Sequence, residues 1–206
     1  MKIIAPSVEI MTPINGDEIL RHIEVCGRVC YKSEDKITPE SSKNFVANII
    51  KRGHESVLEH FSITVRFICD RGVSHEIVRH RIASYSQEST RYCNYGKQDE
   101  IAVIKPLFFD EGTPAWTSWE AGCKAAEKAY MDLLAQGRTP QEARSVLPNS
   151  LKTEVVMTAN LREWRHFFRL RCAKAAHPQM REVARPLLLQ FQSLIPVVFA
   201  DIHFDE

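Results

Sequence analysis

The thirteen residues Arg79-His80-Arg81-Ile82-Ala83-Ser84-Tyr85-Ser86-Gln87-Glu88-Ser89-Thr90-Arg91 hold the densest chemistry in the chain. Three guanidiniums and an imidazole stand against one carboxylate, Glu88. A guanidinium is a planar fork of donors that keeps its charge near neutral pH. The neighbouring hydroxyls add short-range donors, and the whole stretch suits phosphates. The chain carries 27 Lys and Arg against 26 Asp and Glu, a net charge of +1, so this positive field belongs to a site and not to the whole surface. If the segment runs extended beyond Ile82, then Gln87, Ser89 and Arg91 share one face with period two. An amide, a hydroxyl and a guanidinium in line would grip the phosphate and base of a nucleotide. The competing reading is a solvated, salt-bridged surface segment.

Three further groups bear chemistry. Gly53-His54-Glu55-Ser56 is followed closely by Glu59-His60, but this spacing is not the His-Glu-x-x-His of zinc hydrolases. It reads as a polar loop lining a pocket. Arg144 lies just before Leu147-Pro148-Asn149, where an exposed helix arginine is the plain alternative. Asn160-Leu161-Arg162 ends a strand, with His166 and Arg171 on the helix that follows. At that helix end Arg171 also suits the dipole. No G-x-G-x-x-G, G-x-x-x-x-G-K-[ST] or G-x-S-x-G is present, and glycines number only eight. Phosphate neutralisation therefore falls to arginine side chains.

Hydrophobic periodicity supplies the elements that must position these groups. Residues 2–11 read as a short first strand. Asn15-Gly16-Asp17 starts a helix with Ile19, Leu20, Ile23, Cys26 and Val29 inward. Thr38-Pro39-Glu40 opens a second, which Gly53 ends. Phe61 to Cys69 alternates as a strand. Ser74 caps a short helix running to about Ile82, with Ile77, Val78 and Ile82 inward. Residues 101–104 form a strand. Thr113-Pro114 begins a long helix closed by Gly137, and Thr139-Pro140 begins a shorter one. Residues 153–161 are β-rich, while 163–172 and 180–194 are helical. These elements predict one α+β domain over residues 1–206, a central mixed or antiparallel twisted sheet flanked by helices.

Composition narrows the classes. With 44% hydrophobic and 26% charged residues, the chain reads as soluble and globular. Near-zero net charge argues against an electrostatic nucleic-acid binder. No apolar run reaches the roughly 20 residues that span a bilayer, and the N-terminus does not read as a secretory signal. The six cysteines (26, 30, 69, 93, 123 and 172) form no C-x-x-C pair and read as free thiols of a reducing cytoplasm. Cys93, beside the arginines, is the one placed near chemistry.

Arg79-His80-Arg81, seven residues, Ser89, one residue, Arg91 resembles the R-H-R-x7-S-x-R signature of flavin-dependent thymidylate synthases. Gly53-His54-Glu55-Ser56, Ala143 to Pro148, Thr158-Ala159-Asn160 and Leu170-Arg171 resemble further blocks of that family, in family order, from about residue 45 to 185. The resemblance implies an α+β fold and an FAD enzyme that converts dUMP to dTMP. Methylenetetrahydrofolate supplies the carbon and NADPH the reducing equivalents. It also implies a homotetramer with shared active sites, while the residues themselves point to a cytoplasmic protein with no metal and no nucleic-acid or membrane partner.

By the same resemblance, Ser56, Arg79, His80, Arg81, Gln87, Asn160, Leu161, Arg162 and His166 meet FAD. Glu76, Ile77, Val78, Arg79, Gln87, Glu88, Ser89, Thr90, Arg91, Arg144 and Arg171 meet dUMP. Arg171 and His54 are the implied catalytic pair, Arg171 facing the uracil and His54 lying near flavin and folate. Glu76 and Gln87 exchange acid and amide relative to some relatives, His166 stands where others carry Asn, and residues 174–179 are lengthened. Two other classes stay open on the residues alone. One is an RNA- or nucleotide-binding module using the arginine segment. The other is a metal-dependent phosphohydrolase using His54, Glu55, Glu59 and His60.

Overall fold

The computed structural model describes residues 1–98 and 100–204. In chain order the elements are β1 (Lys2–Ile4), β2 (Ser7–Ile10), α1 (Gly16–Val29), α2 (Ser41–Lys51), β3 (Ser62–Asp70), α3 (Arg71–Ile77), β4 (Ala83–Gln87), β5 (Ala102–Ile104), α4 (Pro114–Ala135), α5 (Pro140–Ala143), β6 (Lys152–Asn160), α6 (Leu161–Arg171), α7 (Pro178–Leu194) and α8 (Pro196–Phe199). Single 3₁₀ turns occupy Glu34–Lys36, Glu55–His60, Tyr95–Lys97 and Arg144–Val146. The main sheet is antiparallel with strand order β2-β3-β6-β4, and β1 pairs separately with β5. The α+β expectation holds.

Four local expectations change. The first strand is two strands, because Pro6 has no N–H to give to a ladder and the chain breaks at Ala5-Pro6. β1 runs parallel to β5, with Ile3 opposite Val103. Second, α2 begins at Ser41 and not at Pro39, and the Ser41 hydroxyl accepts the Thr38 N–H at 2.9 Å.

Third, the cap of α3 is Asp70 and not Ser74. The Asp70 carboxylate accepts the Val73 N–H at 2.7 Å, while buried Ser74 donates its hydroxyl to the Arg71 carbonyl at 2.8 Å. A carboxylate at a helix start satisfies an orphan donor and favours the dipole. This helix stops at Ile77, whose carbonyl accepts the Tyr85 hydroxyl at 2.9 Å. Ile77 is buried, but Val78 and Ile82 lie past the helix end and stand exposed.

Fourth, Gln87, Ser89 and Arg91 do not share an extended face. Strand β4 ends at Gln87. Ser89 then starts a turn: its hydroxyl accepts the Arg91 N–H at 3.2 Å, and its carbonyl accepts the N–H groups of Tyr92 and Cys93. A serine that bonds its own following backbone competes with strand pairing.

The described residues fall into two compact units. The first comprises residues 1–8, 67–79 and 85–156. Its core joins Ile101, Val103, Cys123 and Leu151, with Ile3, Trp119 and Leu147 packed against them. Trp119 donates its indole N–H to Ser150 at 3.0 Å, so the polar end of a large ring is satisfied.

The second unit comprises residues 9–66, 80–84 and 157–206. Trp164, Phe167, Phe168, Phe191 and Phe199 form its centre, all fully buried, with ring centroids 5.0–5.8 Å apart along the contacts. Tilted and edge-on pairs of this kind add about 0.5–1.5 kcal/mol each beyond burial. The first residue of α1, Gly16, is obligatory: a Cβ there would lie 2.4 Å from the Leu194 carbonyl oxygen.

No helix among the described residues is long and apolar enough to cross a membrane. All six cysteines are free thiols. Burial pushes the Cys69 and Cys172 thiols up to about 12, so both are inert at neutral pH.

Candidate functional site

Helix α6 carries the chemistry of the second unit. Asn160 caps it by accepting the Glu163 N–H at 2.8 Å. Its apolar face, Leu161, Trp164, Phe167 and Phe168, is buried, which fixes the helix rotation. Glu163, His166 and Arg171 then gather around buried His80. The Glu163 carboxylate lies 2.9 Å from His80 Nδ1, and Arg171 Nε donates to His80 Nε2 at 3.0 Å. The His166 ring meets His80 edge-on at 5.6 Å.

The proton positions follow from the partners. A carboxylate only accepts and a guanidinium only donates. His80 is therefore neutral, with its hydrogen on Nδ1 and its lone pair on Nε2. Burial pushes the His80 pKa below the usual histidine value; the bond to Glu163 opposes that shift and the Arg171 charge adds to it. Ligand atoms of His80, Glu163 and His166 lie within 4.8 Å of one another. Both ring nitrogens of His80 are engaged, one by Glu163 and one by Arg171, and a cation there would sit beside the Arg171 charge, so the cluster reads as a hydrogen-bonded relay.

Two of the clefts in this unit bear on the chemistry. One, of about 430 Å³, is lined by Glu55, Glu59, Ile82, Asn160, Arg162, Glu163, His166 and Arg169. It brings together Asn160, Arg162 and His166, three of the residues that the resemblance assigns to FAD, with exposed Ile82 as an apolar wall and amide and guanidinium donors around it. That donor set suits part of a flavin dinucleotide. Leu161, by contrast, is wholly buried and contributes packing. The other cleft, of about 840 Å³, is bounded by Arg28, Tyr31, Phe45, Arg52, His54 and Ser56 among others. His54 and Ser56 thus line a different cleft from Asn160 and Arg162. The intervening 3₁₀ turn presents Glu55 and Glu59 to the smaller one.

Those two acids are engaged by helix arginines. Arg162 reaches Glu59 at 2.6 Å, and Arg165 reaches Glu55 at 3.1 Å. The His60 carbonyl faces the His22 ring at 3.1 Å. The two carboxylates of the set proposed for a phosphohydrolase are thereby spent on ion pairs. Arg81 is exposed in this unit.

The first unit holds the other half of the arginine segment. Arg91 donates Nε to the Gln141 side chain at 3.1 Å, and Arg144 reaches the Thr90 hydroxyl at 3.4 Å. Residues 89–91 are thus tied to α5 and the turn after it, with both exposed guanidiniums in one region. Ser89 is half-buried beside them. Two guanidiniums and a hydroxyl make a fitting cradle for a phosphate. Arg79 is exposed and Glu76 half-buried in the same unit; the Arg79 N–H bonds the Glu76 carbonyl at 3.4 Å.

Gln87 and Glu88 point into the fold. Gln87 donates to Ser74 at 3.0 Å and Thr153 at 3.3 Å. The Glu88 carboxylate accepts from the Tyr95 hydroxyl at 2.9 Å and from Lys152 at 3.0 Å. Burial and the Glu88 charge push the Tyr95 phenol well above its usual range, so it stays a donor. Neither partner shows in the residues alone: Lys152 is 64 residues from Glu88, and Tyr95, seven residues on, reaches it only because the chain turns after Ser89. Glu163 escapes notice for another reason: Asn160-x-x-Glu163 has the spacing of a helix cap, which accounts for it without a site.

A family model described as "Thymidylate synthase complementing protein" matches residues 15–197. The chain is 36% identical to the flavin-dependent thymidylate synthase of Mycobacterium bovis, over 96% of this chain and 84% of the relative. It is 35% identical to the enzyme of that name from Mycolicibacterium gilvum, with the same coverage. Its fold is similar to the UMP/dUMP methylase PolB of Streptomyces cacaoi bound with 5-Br dUMP, with a TM-score of 0.79, 24% identity, and 97% and 96% of the two chains covered. The chain belongs to the thymidylate synthase complementing protein family, that of the flavin-dependent thymidylate synthases.

Proposed function

We infer that this chain converts dUMP to dTMP, taking the carbon from methylenetetrahydrofolate and reducing equivalents from NADPH through FAD. The observation that carries the reading is Arg171, a guanidinium tethered through Nε to a neutral histidine. A fixed positive charge held against the N3–O4 edge of uracil stabilises an anionic ring, lowers the N3 pKa and enriches C5 in electron density. C5 then attacks the methylene of methylenetetrahydrofolate, the carbon–nitrogen bonds to the folate break, and C5 gives up its proton, all without a thiol adding to the ring. When bound, FAD supplies the hydride that completes the methyl group.

The chain's own residues have distinct tasks in this reading. Asn160, Arg162 and His166 line the smaller cleft and would hold the flavin there, with Arg79, His80 and Arg81 just before Ile82 of the same cleft in sequence. Arg91, Arg144 and Ser89 anchor the dUMP phosphate, which orients the base and removes entropy from the encounter. Ser89 serves as a hydrogen-bonding group, since its hydroxyl accepts a turn N–H and no histidine lies against it. Gln87 and Glu88 act indirectly, by holding the strand end that presents Ser89 and Thr90. His54 works from the larger cleft, where folate chemistry has room.

Purified protein is expected to be yellow, to bleach with NADPH, and to form dTMP from dUMP only when methylenetetrahydrofolate is present. The Cys93→Ser variant should keep that turnover. Colourless protein that FAD cannot reconstitute would sink the reading, and a folded, flavin-loaded Cys93→Ser variant without activity would restore a thiol mechanism.

The reading carries a homotetramer in the cytoplasm. Exposed Tyr31, Ile82, Tyr92 and Leu189 support burial between copies, and six free thiols support a reducing compartment. Sedimentation equilibrium should give four times the chain mass; a monomer at micromolar concentration would refute the assembly.

A further inference from the structure

We propose that Glu163 is a positioning residue for Arg171, acting through His80: its carboxylate holds the imidazole hydrogen on Nδ1 and so reserves Nε2 as the acceptor that seats the Arg171 guanidinium. This rests on the reading of Arg171 given above. It assigns a task to a carboxylate that neither the family signature nor its companion blocks contain.

The geometry leaves one pattern of protons. Glu163 to His80 Nδ1 is 2.9 Å and Arg171 Nε to His80 Nε2 is 3.0 Å. The Glu163 side chain is 8% exposed and that of His80 2% exposed, so water does not replace either partner cheaply. An imidazole in water prefers its hydrogen on Nε2. That form would point a donor at the Arg171 donor and leave Nδ1 facing a carboxylate, two acceptors together. Glu163 removes this alternative. The rest of the surroundings keep the relay rigid: the His80 ring packs 4.9 Å from Phe167, itself within the aromatic centre. A histidine whose far nitrogen is fixed by a carboxylate is a recurrent way to orient the group on its near nitrogen.

Glu163, His166 and Arg171, all on α6, face His80 with charged or titratable groups. Protonation of His80 places a second donor and a second positive charge against Arg171, which breaks the seat. Turnover should therefore fall on the acid side with the titration of His80. Removal of the Glu163 charge makes that protonation harder, so the acid limb moves to lower pH even as the maximal rate drops. A carboxylate that merely stabilised the fold would not move that limb.

The experiment compares wild type, Glu163→Ala and the nearly isosteric Glu163→Gln as full-length, flavin-loaded protein, with melting temperature recorded for each. The ¹⁵N shifts of the His80 ring are read in the same samples. Wild type should show hydrogen on Nδ1, and Glu163→Ala should gain the Nε2–H form. Glu163→Ala should lose about 10- to 100-fold in kcat, the range for removing a group that orients a functional histidine. Its KM for dUMP should change little and its acid limb should shift down. Glu163→Gln, which keeps an acceptor, should retain the Nδ1–H form and recover much of kcat, again with a lowered acid limb.

Unchanged ring shifts and an unchanged pH profile in folded Glu163 variants would overturn the proposal. If Glu163→Ala does not fold, the Gln variant decides: an unmoved acid limb rejects the relay. Wild-type protein that makes no dTMP would reject the functional reading instead, while the ring shifts still judge the relay.

Discussion

Arg171→Ala should bind FAD and fold normally yet lose roughly 10²–10³-fold in kcat, about 3–4 kcal/mol of barrier, as when a preorganised electrostatic donor is removed. The expectation follows from where the residue sits. Arg171 is half-buried, and its Nε is already committed to His80, so its charge is held before substrate arrives. Charge held in advance costs no reorganisation in the transition state. The loss should appear in kcat with dUMP affinity reduced only modestly, since the Arg91 and Arg144 cradle is untouched. Arg171→Lys should fall close to Ala, because an ammonium cannot both bond His80 and present a planar edge. Single-turnover dTMP formation with flavin absorbance recorded in parallel is the measurement. Near-normal turnover by flavin-loaded Arg171→Ala would discard the electrostatic mechanism.

Arg165→Met should cost about 3–5 kcal/mol of stability, the range for stripping one partner from a buried ion pair. The Arg165 side chain is wholly buried. It bonds Asp201 through two nitrogens at 2.7 Å, Glu55 at 3.1 Å, and the Val198 carbonyl. Burial opposes its charge, but the bond to Asp201 and the charges of Asp201 and Glu55 together outweigh that and raise its pKa. Met fills similar volume, so the loss would come from stranded acceptors and not from a cavity. Asp201 is near half exposed and recovers water readily; Glu55 and the Val198 carbonyl bear the loss. Urea denaturation with an unchanged slope would measure it. A loss under 1 kcal/mol would show that water replaces the guanidinium. Because Glu55 sits between His54 and Ser56, a second effect should appear in the larger cleft, as weaker folate saturation.

Much of this was legible in the residues. The alternation of Phe61 to Cys69, the Thr113-Pro114 helix start and the Gly137 stop all declare themselves locally. So does the arginine segment, whose spacing carries the family signature. What the residues hid depends on competing partners, some local and some far along the chain. Asp70 caps α3 because its carboxylate takes the Val73 N–H one turn before Ser74, whose hydroxyl is spent on the Arg71 carbonyl. Ser89 turned the chain where alternation suggested a strand. Glu88 reads as the lone acid facing arginines, yet its partners are Tyr95 and Lys152. Glu163 was obscured by its resemblance to a helix cap, and only the fold brings His80 to it across 83 residues of chain.

The passage of the chain between its two units has a practical corollary. It changes unit after residues 8, 66, 79, 84 and 156, and one of those changes falls between Arg79 and His80, inside the signature itself. Neither unit can therefore be excised as a continuous gene fragment. A split-reporter or truncation series, however cut, would leave each piece lacking strands that its own core requires. Many of the stabilising pairings also join distant stretches, a feature of slow-folding chains.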